Sequence, residues 1–271
     1  MPSTLRALLD LRPPHRRERY GTHPEQRAEL HLPAGDGPYP LLIALHGGFW
    51  RAPRTLRYMR PLCADLARHG WAVWNVEYRR VGRGQGGGWP ATFHDVAAGI
   101  DALATLDAPL DLTRVAALGH SAGGQLALWA AARPGLPPQA PGAAPRVRLS
   151  AGVVAIAAVS DLEATPSLYS PGGGVHDLMG GAPDGVPDDR YELGNPIRHL
   201  PLGIPTLLVH GAADETVPVQ RSRDFAAAAR AAGDDVTLIE QPGADHRQVV
   251  DPRRREWRGV VDWLRPRASA G

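Results

Sequence analysis

The hexapeptide Gly119-His120-Ser121-Ala122-Gly123-Gly124 constrains this chain more than any other stretch. It follows a short apolar run, Val115-Ala116-Ala117-Leu118, and leads into a helical pattern with Leu126, Trp129 and Ala130 on one face. Strand, sharp turn, helix is the context in which a Gly-x-Ser-x-Gly sequence lifts a serine Oγ above a sheet. The serine must then adopt a strained backbone conformation, and strand and helix must close up behind it, so side chains at 119 and 123 are excluded. Ser121 is expected at a helix N-terminus, where unpaired N–H groups favour developing negative charge. Taken in isolation the motif also reads as a tight turn with a serine N-cap. The flanking elements favour the nucleophile.

The same alternation of strand and helix extends along the chain. Residues 28–32 read as a strand, and Leu41-Leu42-Ile43-Ala44-Leu45 as a buried one that ends at His46-Gly47-Gly48-Phe49-Trp50. A helix is expected over 54–69, with Leu56, Met59, Leu62, Cys63 and Leu66 on one side, and a strand over 71–76. After a glycine-rich loop at 82–88, a second helix carries Phe93, Val96, Ala97, Ile100, Leu103 and Ala104. Beyond the hexapeptide come a loop at 133–146 and strands at 153–159, 206–210 and 236–239, with a helix carrying Phe225 and Ala229 before the last of these. A closing helix bears Trp257, Val260, Val261 and Leu264. Strands that are apolar throughout and alternate with helices predict one α/β domain over 1–271, a mostly parallel sheet covered on both faces. Residues 1–24, rich in Arg and Pro, read as an irregular arm. Residues 160–200, where the periodicity dissolves into Gly, Pro and Asp with short helical hints, read as a small irregular lid or, failing that, a disordered surface insertion.

Composition excludes several classes. With 271 residues, 43% of them hydrophobic, the chain can bury one sizeable core. No run approaches the roughly eighteen apolar residues of a membrane span. Arg6 and Asp10 interrupt the N-terminal apolar stretch, which argues against a secretory signal. The single cysteine, Cys63, rules out an internal disulfide and suits a reducing cytoplasm. Its setting is that of a small buried hydrophobe. The formal net charge is +2, every basic residue is Arg, and the clusters at 16–19 and 253–256 each carry a compensating Glu. Solvated surface explains them better than a nucleic-acid footprint. No zinc-spaced Cys/His cluster, phosphate-binding loop or dinucleotide fingerprint occurs, so no metal or organic cofactor is expected. The expected partner is a small-molecule substrate in the cytoplasm, with no nucleic acid and no membrane, and a homodimer left open.

Three further stretches complete a chemistry. Consecutive glycines after the strand at 41–45 let backbone N–H groups face a cleft, so Gly48 or Phe49, together with Ala122, form a candidate oxyanion hole. Trp50 is expected in the substrate pocket wall, though an aromatic after such a turn is as often simply core. Asp214, in Gly211-Ala212-Ala213-Asp214-Glu215, follows a strand where a carboxylate could orient an imidazole. Glu215, Asp245 and Asp161 are its rivals. His246, in Gly243-Ala244-Asp245-His246, supplies a general base. The order Ser121, Asp214, His246, each after a strand, is that of a catalytic triad.

These motifs resemble the α/β-hydrolase superfamily and, within it, the bacterial esterase and kynurenine-formamidase (arylformamidase) group. The likeness covers about residues 20 to 265. It rests also on Tyr20-Gly21-Thr22-His23-Pro24-Glu25-Gln26, on the strand end Glu77-Tyr78-Arg79-Arg80, and on Trp89-Pro90-Ala91-Thr92-Phe93-His94-Asp95 opening a helix. It implies a serine hydrolase acting through an acyl-enzyme on a short ester or an aryl formamide. A prolyl-oligopeptidase-like peptidase and a hydrolase-fold binding protein are the alternatives. Phe49 and Trp50, with Leu168, Tyr169, Leu178 and Met179 of the lid, are expected to line an apolar pocket with a tight acyl side.

Overall fold

A computed structural model of the chain describes residues 16–164, 166–186 and 189–269; the first fifteen residues of the expected arm lie outside these. Eight strands form one sheet: β1 (Arg16–Arg19), β2 (Arg27–His31), β3 (Tyr39–Leu45), β4 (Ala72–Val76), β5 (Leu110–His120), β6 (Gly152–Ile156), β7 (Thr206–Gly211) and β8 (Val236–Gln241). The helices are α1 (Arg60–Arg68), α2 (Ala91–Asp101), α3 (Ala122–Ala132), α4 (Pro166–Tyr169), α5 (Gly174–Met179), α6 (Arg190–Gly194), α7 (Gln220–Ala231) and α8 (Arg258–Ser269).

The strand order is β1-β2-β4-β3-β5-β6-β7-β8. From β4 to β8 every pairing is parallel, whereas β2 joins β4, and β1 joins β2, in antiparallel register. Parallel strands are buried on both faces, and β3 shows how. Leu41, Ile43 and Leu45 enter one apolar cluster, with Phe93 of α2, Leu126 of α3 and Phe225 of α7. Leu42 and Ala44 enter the other, with Leu62 of α1 and Val260 of α8. Period-two alternation thus feeds two cores, one on each side of the sheet.

The chain runs from β3 outward to β4, then returns to place β5 on the other side of β3. Open parallel sheets bind ligands at the carboxyl ends of strands where such a reversal leaves a crevice. The carboxyl ends of β3 and β5 carry His46–Trp50 and Ser121.

Several elements differ from expectation. Arg16–Arg19, inside the expected irregular arm, is an edge strand paired with β2 from Arg16↔Leu30 to Arg19↔Arg27. Its mostly exposed side chains give no apolar pattern, and the ladder alone defines it. The third-last parallel strand ends at Ile156, not 159, because Ala157 turns out of line with φ 45°. The stretch 160–200 is built of short helices fastened to the domain. Gln125 Nε2 donates to the carbonyl of Gly194 at 2.9 Å and Trp129 Nε1 to that of Leu193 at 3.1 Å, while within the segment Asn195 Oδ1 accepts from the Leu162 N–H at 3.1 Å. This covering explains why α3 is buried along its whole length.

Candidate active site

Ser121 sits between β5 and α3 with φ 56° and ψ −119°, a conformation L-residues rarely adopt. The surroundings enforce it. The Ser121 N–H donates to the Ile156 carbonyl at 2.8 Å, and its own carbonyl accepts from the N–H groups of Gly124 at 2.9 Å and Gln125 at 3.2 Å. A side chain at Gly119 would collide with the Gly123 carbonyl, and one at Gly123 with the carbonyls of Leu45 and His46. The two glycines let strand, helix and the neighbouring loop meet.

That loop, after β3, turns at Gly48 (φ 120°), Phe49 (φ 55°) and Trp50 (φ 56°). The N–H groups of Gly48, Phe49 and Ala122 donate to no protein acceptor among the described residues. A buried cluster holds the loop from below. His46 Nε2 meets Glu77 Oε1 at 2.7 Å, the Tyr78 ring stacks on His46 at 4.3 Å, and the Tyr78 hydroxyl donates to the His46 carbonyl at 2.6 Å. Burial would raise the Glu77 carboxyl, but His46, Arg80 and the Leu56 N–H overrule it and hold the group below its usual range. Arg79 grips Asp95 through two nitrogens at 2.8 and 2.7 Å. The Glu-Tyr-Arg-Arg segment is therefore framework beneath the site.

Asp214 follows β7 and His246 follows β8. Asp214 Oδ1 accepts from the N–H groups of Thr216 at 2.8 Å and Val217 at 2.9 Å, and Oδ2 lies 2.7 Å from His246 Nδ1. His210 Nε2 adds a contact to the same Oδ2 at 3.2 Å. Burial opposes ionisation here too, yet His210, His246 and the Val217 N–H hold the carboxyl well below the usual range. Asp245 instead caps its own loop, accepting from the N–H groups of Arg247 and Gln248 at 2.8 Å each. Asp161 pairs with Asn195 at 2.8 Å, and Glu215 is exposed.

Ser121 and His246 line one cavity of about 310 Å³ with Gly47, Gly48, Phe49 and His120. No hydrogen bond joins the Ser121 and His246 side chains among the described residues; such contacts are often long until substrate binds. His120 packs its ring 4.6 Å from that of His246 and places Nε2 2.9 Å from the His246 carbonyl. Burial, reinforced by charge on His246, lowers His120 to about 3, so it is a neutral brace.

Two expectations are corrected. Trp50 is fully buried and does not line the cavity. Its positive φ directs the indole under the loop, where Nε1 donates to Gln125 Oε1 at 3.1 Å. No described residue of the 160–200 segment lines the cavity; Leu178 and Met179 are core, Leu168 packs against the core, and the Tyr169 side chain lies outside the described residues. Residues the sequence reading missed are His210 and His120, which brace the dyad, and Arg51, Arg54, Tyr58, Thr216 and Arg247, which line the cavity. The hexapeptide itself displayed His120; the others carry no local signal.

An eight-stranded, mostly parallel sheet with a serine elbow at its switch point places the chain in the α/β-hydrolase fold class. The chain belongs to the BD-FAE family, whose model matches residues 29–228. Among solved structures it resembles a truncated carbohydrate esterase from gut microbiota, with TM-score 0.80 and 21% identity over 93% of this chain and 95% of that one. It resembles Thermogutta terrifontis esterase 2 with butyrate bound, with TM-score 0.72 and 22% identity over 91% and 90%. It also matches 35% of a bifunctional GH43-CE protein of Bacteroides eggerthii, with TM-score 0.77 and 22% identity over 93% of this chain. At these identities the likeness is one of fold. No curated protein matches. No described helix is long and apolar enough to cross a membrane.

Proposed function

We propose that the protein hydrolyses small acyl esters through a covalent acyl-enzyme on Ser121. The observation that carries this reading is the convergence on one cavity of Ser121, in its strained elbow, and His246, whose Nδ1 is 2.7 Å from Asp214 Oδ2. Asp214 fixes the imidazole with Nδ1 protonated, which leaves Nε2 free to take the Ser121 proton as Oγ attacks the ester carbonyl. The carbonyl oxygen becomes an oxyanion, which the N–H groups of Ala122 and of Gly48 or Phe49 receive. His246 then hands its proton to the departing alcohol. Water enters, gives a proton to His246 and attacks the acyl carbon, and collapse of the second oxyanion frees the acid and Ser121.

The cavity volume of about 310 Å³ favours a small substrate, since ligand sites commonly span about 300–1,000 Å³. Esterase relatives rank an ester ahead of an aryl formamide. The test is a panel of nitrophenyl esters from acetate to octanoate beside N-formylkynurenine, run on wild type and Ser121→Ala. Turnover is expected for acetate and butyrate, falling beyond about four acyl carbons where overpacking costs about 1–3 kcal/mol. Preference for the formamide would replace the ester reading, and no turnover with no loss in Ser121→Ala would favour a binding protein.

A further inference from the structure

Three arginines, Arg51, Arg54 and Arg247, line the cavity that holds Ser121 and His246, and no carboxylate does. Arg51 is committed elsewhere. Its Nη2 donates to the carbonyls of Gly172 at 2.8 Å and Gly173 at 3.1 Å and pairs with Asp177. Arg54 and Arg247 are exposed and have no acidic partner among the described residues.

Their placement is nonetheless defined. The Arg54 stem lies directly against Gly48 of the loop after β3, and its carbonyl accepts a hydrogen bond from Arg80 Nη1. Its guanidinium carbon stands 5.6 Å from the centre of the Tyr58 ring. Arg247 directly follows His246, with its backbone N–H held by Asp245 Oδ1 at 2.8 Å. That carboxylate is the acid next in the chain, and two backbone N–H groups already occupy it. One arginine therefore adjoins the candidate oxyanion hole through its stem and the other directly follows the candidate base, and both line the cavity. A second cavity of about 350 Å³ shares Tyr58 and Arg247, which continues the cleft past them.

Two unpaired guanidinium forks at the mouth of a cleft raise the local concentration of anions and match the planar oxygens of a carboxylate or a phosphate. Resting on the ester-hydrolase reading, we propose that the substrate is an ester bearing a carboxylate or phosphate group that seats on Arg54 and Arg247. Hydrolysis itself is unchanged: water adds across the acyl–oxygen bond, and the anionic group stays on its fragment.

The test compares kcat/KM for 4-acetoxybenzoate, 4-acetoxyphenyl phosphate and neutral 4-acetoxybenzamide. Wild type, Arg54→Gln, Arg247→Gln and the double variant are measured, with Arg16→Gln at the far sheet edge as control. The ratio of anionic to neutral kcat/KM is expected to be roughly tenfold in wild type and in the control, and to collapse toward one in the double variant. It should also shrink in wild type as ionic strength rises from about 0.05 to 0.5 M, a readout that needs no variant. The favoured anion identifies the group. A wild-type ratio near one, or a ratio that survives both the double variant and salt, overturns the proposal while leaving ester hydrolysis standing. Failure to cleave all three esters overturns both.

Discussion

The imidazoles of His210 and His246 share one acceptor, Oδ2 of Asp214, at 3.2 Å from Nε2 of the first and 2.7 Å from Nδ1 of the second. His210 is fully buried, and its Nε2 also lies 2.8 Å from the Val217 carbonyl, which fixes the proton on that nitrogen. Nδ1 then accepts from the Ser222 hydroxyl at 2.7 Å. His210 thus donates toward the carboxylate that orients the candidate base.

His210→Gln keeps a donor but shortens its reach. A weakened hydrogen bond to a charged group is worth about 1.5 kcal/mol, so kcat on an acetyl ester should fall about tenfold. KM should move little, because His210 lies outside the cavity lining. Steady-state kinetics decide it; a change confined to KM would assign His210 to binding.

Gly123→Ala should be far more harmful than its single methyl suggests. The new Cβ meets the carbonyls of Leu45 and His46, backbone atoms that cannot swing away. Destabilisation of about 3 kcal/mol or more is expected by urea denaturation. Gly135→Ala, with nothing within 4 Å of the added carbon, should change little. Equal effects at both positions would contradict the close approach of β3, β5 and α3.

Much of this was legible in the sequence, and the reason is local. Ser121 follows its strand directly, and Asp214 and His246 lie in the loops after theirs, so strand-then-turn grammar marked them before any contact was known. The alternation of buried strands and amphipathic helices sufficed for the sheet except its edge strand β1, which has no apolar pattern. Trp50 was misread because the backbone angle that buries it belongs to a loop, where no periodicity reports side-chain direction. The segment 160–200 was misread because the side chains of Gln125 and Trp129 fasten it, and such long-range partners leave no pattern. Arg54, Tyr58 and Arg247 meet only through closure of the fold.

Trp50→Phe tests the correction at that position. It leaves Gln125 Oε1 without its donor in the core, at a cost of about 1–3 kcal/mol. The acyl chain-length profile should not change. Phe49→Ala, which enlarges the cavity itself, should shift the profile toward longer acyl groups. A profile altered by Trp50→Phe alone would return the indole to the pocket wall.

Acid stability should depend on His120. Its folded value is lowered to about 3 from an ordinary 6.5, so between these limits the unfolded chain binds a proton that the folded chain does not. Stability from this group is complete above pH 6.5 and is lost as pH falls toward 3, with a slope of about 1 kcal/mol per unit. The interval from about pH 6 to 5 lies above ordinary carboxylate titration, and the comparison with His120→Gln separates this group from the other ten histidines. Urea-denaturation stability measured across it should flatten in His120→Gln; an unchanged slope would place the proton elsewhere.

The most direct measurement is mass spectrometry of the protein after reaction with a fluorophosphonate. One adduct per chain is expected, mapped to Ser121, forming much more slowly in His246→Ala and absent in Ser121→Ala. An adduct on another residue, or none with wild type, would contradict Ser121 as the nucleophile.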